Sequence, residues 1–425
     1  MANIVVSLVS IALLSLTTAQ GSTNFHGIPS SVTDHDFHID GICETAVETK
    51  GYQCEEHKVE TDDGYILSLQ RLPAGRSGHK ADKPPVLLQH GLFCDALSWL
   101  INPPDEALGF ILADNGYDVW ISNTRGTKYS RSHRSLSPND AAFWNWSWDE
   151  LASYDLPALV KYVHNNTAQK IHYVGHSLGT LMAFTAFSRG QVLDMLRSAA
   201  LLSPISHMRQ VNSPIARTFA DTFLAEVRQA SSFKYQFIYF IEFDEMIPSV
   251  VAKILDLVTS REGSTRLVEG ICKTLRIDCS KPLAYFTGPN CCLNSTLLNS
   301  LLDHGLQSTA TKNLIHLSQM IRTGNIAKYD YGNILKNRQN YGQPFPPPYD
   351  LTAIPKDFPL FVSYGGLDML SEVNGVKLLL NDLKSHDANN LVVLFRKEYA
   401  HVDFFMATNV KQVLYDPIIS FFQVN

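Results

Sequence analysis

Residues 171–188 read IHYVGHSLGTLMAFTAFS. Ile171 to Val174 form a short, continuously apolar run of the kind found in strands buried on both faces, and Thr180 to Ser188 continue as a helix-compatible stretch. Between them stands Gly175-His176-Ser177-Leu178-Gly179, a GxSxG pattern. A turn tight enough to join strand to helix there leaves no room for a Cβ two residues before or after the serine. The segment predicts a strand, a sharp elbow presenting Ser177, and a helix.

Working outward, the same short apolar runs recur: VLLQ from Val86, YDVWIS from Tyr117, AALLS from Ala199, LFVSYGG from Leu360 and LVVLF from Leu391. Longer helical patterns such as ELASYDLPALVKYVH lie between them, and this βαβ rhythm predicts an α/β fold with a mostly parallel, doubly wound sheet. From His57, HKVETDDGYILSLQRL places Asp63-Gly64 between two alternating runs and reads as an antiparallel hairpin at the edge. After Pro204 the rhythm stops. A helical, irregular stretch follows, with FKYQFIYFIEF from Phe233, until the proline-rich QPFPPPYDLTAIP. The expected organisation is a core in two parts, 21–205 and 341–425, carrying an insertion over 206–340.

The chain has 425 residues, 45% hydrophobic and 18% charged, so a disordered or fibrous reading fails. Its 35 Lys and Arg against 41 Asp and Glu give a net charge of -6 with no basic block. Nucleic acid is therefore not an expected partner. Residues 4–16, IVVSLVSIALLSL, are too short to span a bilayer and precede small residues Thr17, Thr18 and Ala19, which predicts a secretory signal over 1–20. The positive end of that signal is the α-amino group alone. No later run approaches the ~18 apolar residues of a membrane span.

Export suits the seven cysteines as disulfides, with Cys43 and Cys54, and Cys272 and Cys279, the pairs near in sequence, and Cys94 the candidate free thiol. Three sequons, at Asn145, Asn165 and Asn294, agree with a glycosylated, secreted or vacuolar protein. There is no CxxC pair and no HExxH, so no metal or other cofactor is expected.

A serine hydroxyl is a poor nucleophile until a base, itself oriented by an acid, takes its proton. Asp368 directly follows the strand LFVSYGG and His401 follows the strand LVVLF, so both fall at the carboxyl edge of the sheet with Ser177. Rivals fit less well. His386 and Asp382 belong to the end of a helix, His304 and His316 to the insertion, and Asp403 sits so near His401 that a solvated or capping role suits it better. An acyl-transfer intermediate also needs two amide donors. Leu178, after the nucleophile, supplies one, and Leu92, after the turn His90-Gly91, the other, with the His90 side chain structural.

These residues resemble the acid lipases of the α/β-hydrolase group, which include gastric and lysosomal lipases and, nearest in pattern, plant triacylglycerol lipases. The likeness runs from about residue 40 to the C-terminus through GYQCEEHKVETDDGYILSLQRLP, LLQHGLFCDALSWL, ILADNGYDVWISNTRGTKYSRSH, FWNWSWDELASYDLPA, VGHSLGT, KNLIHLSQMIRTGNIAKYDYG, LFVSYGGLD and YAHVDFF. It implies an α/β-hydrolase fold, a catalytic Ser177, Asp368 and His401, an oxyanion hole at the amides of Leu92 and Leu178, and a cap formed by the insertion. Where many animal members carry glutamine after the serine this chain has Leu178, which leaves the amide in place. Asn290-Cys291-Cys292-Leu293-Asn294 resembles the plant branch rather than the animal cap.

The implied function is a triacylglycerol lipase acting through an acyl-enzyme on lipid esters at an oil-water or membrane interface. Phe233, Tyr235, Phe237, Tyr239 and Phe240 fit either an acyl groove or cap core. A carboxylesterase or steryl-ester hydrolase with the same triad, a non-catalytic lipid-binding module and a peptidase are the alternatives.

Overall fold

The turn at Asp63-Gly64 closes a hairpin with Gly64 at φ 95°, a left-handed conformation that costs a residue without a Cβ little. It pairs β1 (Glu55–Glu60) with β2 (Tyr65–Leu72) antiparallel. This computed structural model describes residues 41–221, 282–294, 297 and 304–425. The expected signal segment, the aromatic run from Phe233 and the pair Cys272 and Cys279 lie outside the described residues.

The remaining strands are β3 (Lys83–Gln89), β4 (Tyr117–Ser122), the two-residue β5 (Ser132–His133), β6 (Ile171–His176), β7 (Leu196–Leu202), β8 (Leu360–Gly365) and β9 (Leu391–Arg396). They join one sheet in the order β1-β2-β4-β3-β6-β7-β8-β9, with β5 beside β2. Every pairing from β4 across to β9 is parallel. Strands β7 and β8, separated by the 157 residues 203–359, are neighbours in the sheet.

The two-residue period of a strand decides which core each side chain enters. Leu87, Tyr173, Ala199 and Leu201 face one apolar cluster with the helices Leu156–Thr167 and Leu178–Ser188. Val86, Leu88, Val174, Ala200 and Leu202 face a second, with the helices Leu108–Asp114 and Asp416–Val424. Both faces are thus covered, which is why the central strands read as unbroken apolar runs.

Strand order reverses at β3: the chain moves outward from β3 to β4, and later places β6 on β3's other side. Loops leaving the carboxyl ends of β3 and β6 consequently diverge and leave a crevice, the usual place for a site on such a sheet. The helix start at Ser147, where Ser147 and Glu150 form a capping box, receives a later helix of the chain. The helix Thr311–Thr323 sets Lys312 on Glu150 at 3.0 Å and stacks His316 on Trp148 at 4.0 Å between ring centroids.

Candidate active site

Ser177 lies between β6 and the helix Leu178–Ser188 with φ 54° and ψ -115°, outside the regions L-residues ordinarily adopt. The flanking glycines make this elbow feasible. A Cβ on Gly175 would stand 2.9 Å from the Gly179 backbone, and one on Gly179 would stand 2.8 Å from the Gln89 carbonyl oxygen of β3.

The loops after β8 and β9 bring the other two predicted residues to this elbow. Ser177 Oγ lies 2.8 Å from His401 Nε2, and His401 Nδ1 lies 3.0 and 2.9 Å from the two Asp368 oxygens. All three residues are buried. An unprotonated carboxylate accepts only, so Nδ1 carries the proton and Nε2 is left to accept from the serine hydroxyl. Burial alone would raise the Asp368 carboxyl, but the adjacent His401 imidazole and its hydrogen bond, with the amides of Ser371 and Leu370, hold it below its ordinary value.

Leu92 and Leu178 line one pocket with His90, Gly91, Thr124 and Trp146. A Cβ on Gly91 would come 2.9 Å from Ser177 Cβ, so glycine is what lets this loop lie against Ser177. The His90 ring is structural, as expected: Nδ1–H donates to the Gly91 carbonyl at 2.8 Å and Nε2 accepts from the Thr124 amide at 3.1 Å. Burial lowers its pKa, which keeps the ring neutral in this arrangement.

Two family profiles match the chain, a partial α/β-hydrolase lipase region over residues 43–103 and the α/β hydrolase fold over residues 84–236. Triacylglycerol lipase 2 of Arabidopsis thaliana is 45% identical over 387 residues, 90% of this chain and 88% of that one. Gastric triacylglycerol lipase of Homo sapiens is 36% identical over 383 residues, 87% of this chain and 88% of that one. The chain belongs to the acid lipase family of α/β-hydrolases. Among solved structures, a highly thermostable carboxyl esterase from Bacillus coagulans in complex with glycerol has the same fold, with a TM-score of 0.53 at 13% identity over 87% of this chain and 98% of that one.

Two residues of this acid lipase sit differently from their sequence reading. Asp403 is fully buried rather than solvated: its Oδ2 accepts from the amides of Ala400 at 2.7 Å and Cys291 at 3.1 Å. Burial pushes its carboxyl up to about 6 against the opposing pull of those amides. His304, read as belonging to the insertion alone, reaches the loop that carries Leu92, with Nε2 2.7 Å from Asp95 Oδ2. Asp382 ends the helix Val373–Asp382, as read, and pairs with His207 at 2.8 Å, while His316 lies on the helix Thr311–Thr323 and packs on Trp148.

Sequence reasoning passed over His176, the variable residue of the GxSxG pattern. Its Nε2–H donates to the His401 carbonyl at 2.9 Å, and burial, then the neighbouring His401, lowers its pKa to about 3, so it stays a neutral donor. The Ser203 hydroxyl reaches the same carbonyl at 3.4 Å.

Cys43 is bonded to Cys54, and Cys291 to its neighbour Cys292, a pairing the spacing did not suggest. Cys94 is a free thiol that burial pushes up to about 12. Asn145, Asn165 and Asn294 are exposed. No helix of the described residues is long and apolar enough to cross a membrane, and no group of three or more His, Cys, Asp or Glu among them could hold a metal ion.

Proposed function

We propose that Ser177, His401 and Asp368 are the catalytic triad of a triacylglycerol lipase. The observation that carries the reading is the continuous buried chain of hydrogen bonds from the Ser177 hydroxyl through His401 to Asp368. In this scheme Ser177 attacks a fatty-acyl ester carbonyl while His401 Nε2 takes its proton. The amides of Leu92 and Leu178 hold the tetrahedral oxyanion, each such donor being worth about 3 kcal/mol in the barrier. His401 returns the proton to the leaving alcohol, and water then clears the acyl-enzyme by the same route reversed.

The substrate class is supported by relatives that bear the name triacylglycerol lipase and match over most of their length. In the same reading residues 206–340 form a cap over the site. The N-terminal apolar run directs export, to the exterior or to a lysosome-like compartment, and the exposed Asn145, Asn165 and Asn294 are glycosylation acceptors.

Hydrolysis of emulsified triolein by the whole protein, beside Ser177→Ala, tests the proposal. The substitution should lower turnover by several decades with the melting temperature retained, and should abolish labelling by a fluorophosphonate. Wild-type turnover in Ser177→Ala would remove Ser177 as nucleophile. Activity confined to short soluble esters, or to steryl esters, would instead assign the triad to a carboxylesterase or steryl-ester hydrolase.

A further inference from the structure

The acid and the base of this site sit on separate loops after β8 and β9, which meet directly where the Leu367 amide donates to the Tyr399 carbonyl at 3.0 Å. What touches both is a segment of the insertion. The carbonyl of Thr287 accepts from the amide of Met369 at 3.3 Å and from the amide of His401 at 3.2 Å. One oxygen thus ties the residue after Asp368 to His401 itself.

The chain then passes between the two loops. Gly288 has φ 102°, and a Cβ there would lie 2.1 Å from the Leu367 carbonyl oxygen and 3.0 Å from Ala400 Cβ, the residues that precede Asp368 and His401. Asn290 Oδ1 accepts from the Val402 amide at 3.3 Å, while its Nδ2 donates to Thr287 Oγ1 and to the Gly288 carbonyl, both at 3.0 Å. The Cys291 amide donates to Asp403 Oδ2, which also holds the Ala400 amide, and the Cys292 carbonyl accepts from Thr408 at 3.0 Å. Leu293 forms an antiparallel bridge with Ala407. From Thr287 to Leu293, all but Pro289 contact a residue between 400 and 408.

We propose that Thr287–Leu293 is the positioning element of the acid–base pair: it sets the Asp368 and His401 loops at the separation the hydrogen bond between them requires, with Gly288 and Asn290 as its positioning residues. The Cys291–Cys292 bond joins adjacent residues, and so restricts the one dipeptide whose amide and carbonyl both face the His401 loop. None of residues 287–293 lines the pocket beside Leu92 and Leu178. Disturbing the segment should accordingly impair the chemical step rather than substrate capture.

The inference rests on the triad reading, and its test separates the two. The full-length protein is compared with Gly288→Ala, Asn290→Ala and the double variant Cys291→Ser/Cys292→Ser on a soluble ester, with melting temperature, kcat, KM and the downfield proton resonance of the His401–Asp368 hydrogen bond recorded for each. A misplacement near 1 Å can cost roughly 10²-fold in rate. Gly288→Ala should lose kcat on that order, Asn290→Ala and the cysteine variant about tenfold, with KM within about twofold and the resonance shifted or broadened. If Gly288→Ala does not fold, Asn290→Ala, which only removes a half-buried side chain, decides the matter. Folded variants with wild-type kcat and an unmoved resonance overturn the inference, whereas an inactive wild-type protein overturns the triad reading itself.

Discussion

Asp368 gives one oxygen to the amides of Leu370 and Ser371 and both oxygens to His401. Its orientation is therefore fixed by its own loop before the imidazole arrives, and the imidazole takes the tautomer that an acceptor dictates. Asp368→Asn would offer an NH₂ group in the same place and favour the tautomer whose Nε2 already bears a proton. The expected loss in kcat is about 10⁴-fold. Steady-state hydrolysis with an unchanged melting temperature checks it; a loss below tenfold would mean that Asp368 does not select the tautomer. Ser177, Asp368 and His401 could be read in the sequence because each stands close after a strand, at once after β6 and three and five residues after β8 and β9, so the strand ends bring all three to one edge. Asp403 could not. Its burial depends on Cys291, distant in sequence and delivered by the insertion, and nothing local to Tyr399-Ala-His-Val-Asp403 records that contact.

At the scale of elements, the elbow and the strand beside it are a single packed unit. Gly179 lets the helix Leu178–Ser188 press on β3, where an added methyl would meet the Gln89 carbonyl at 2.8 Å, Gln89 Cγ at 2.9 Å and the His90 carbonyl at 3.1 Å. Two of these are backbone atoms of the segment leading to Gly91 and Leu92. Gly179→Ala should therefore cost about 1–3 kcal/mol of stability, as overpacking does, and lower kcat by displacing the loop of the proposed oxyanion donor Leu92. Chemical denaturation and turnover measured together check this, and a stable variant of full activity would show that β3 yields freely. Strands β3, β4, β6 and β7 were readable because burial on both faces leaves an uninterrupted apolar run. β9 shares that composition but forms the sheet edge, with Val392, Val393 and Phe395 exposed, and composition alone does not distinguish the two situations. The helix Thr311–Thr323 falls in KNLIHLSQMIRTGNIAKYDYG, which stood in the sequence only as a mark of the family resemblance. That it docks on Trp148 and Glu150 required the fold.

For the molecule as a whole, buried titrating groups set two opposing responses to acid. Burial lowers His172, His176 and His316 to about 3, each from an ordinary value near 6.5. Between those limits the unfolded chain binds protons that the folded chain refuses, so their neutral burial stabilises the fold above about pH 6.5 and loses that effect as pH falls. Burial raises Asp149 and Asp403 to about 6, from 3.8. Over that window the folded chain binds the extra protons, and acid favours the native state. Three histidines outweigh two carboxyls. Near pH 5 unfolding should take up a net of about one proton or more, a slope of roughly 1.4 kcal/mol per pH unit for each. Unfolding free energies from denaturant titrations at fixed ionic strength should thus decline from pH 6.5 towards 4. Asp149→Asn, which keeps an acceptor for the Tyr349 hydroxyl but cannot take up the proton, should steepen the decline, and His316→Gln should flatten it. Stability that instead rises on acidification would mean that these histidine rings are charged in the folded protein. A charged His176 would still donate from Nε2 to the His401 carbonyl, so that contact survives either outcome, and the chemical shifts of each ring's carbons would show which histidines had charged.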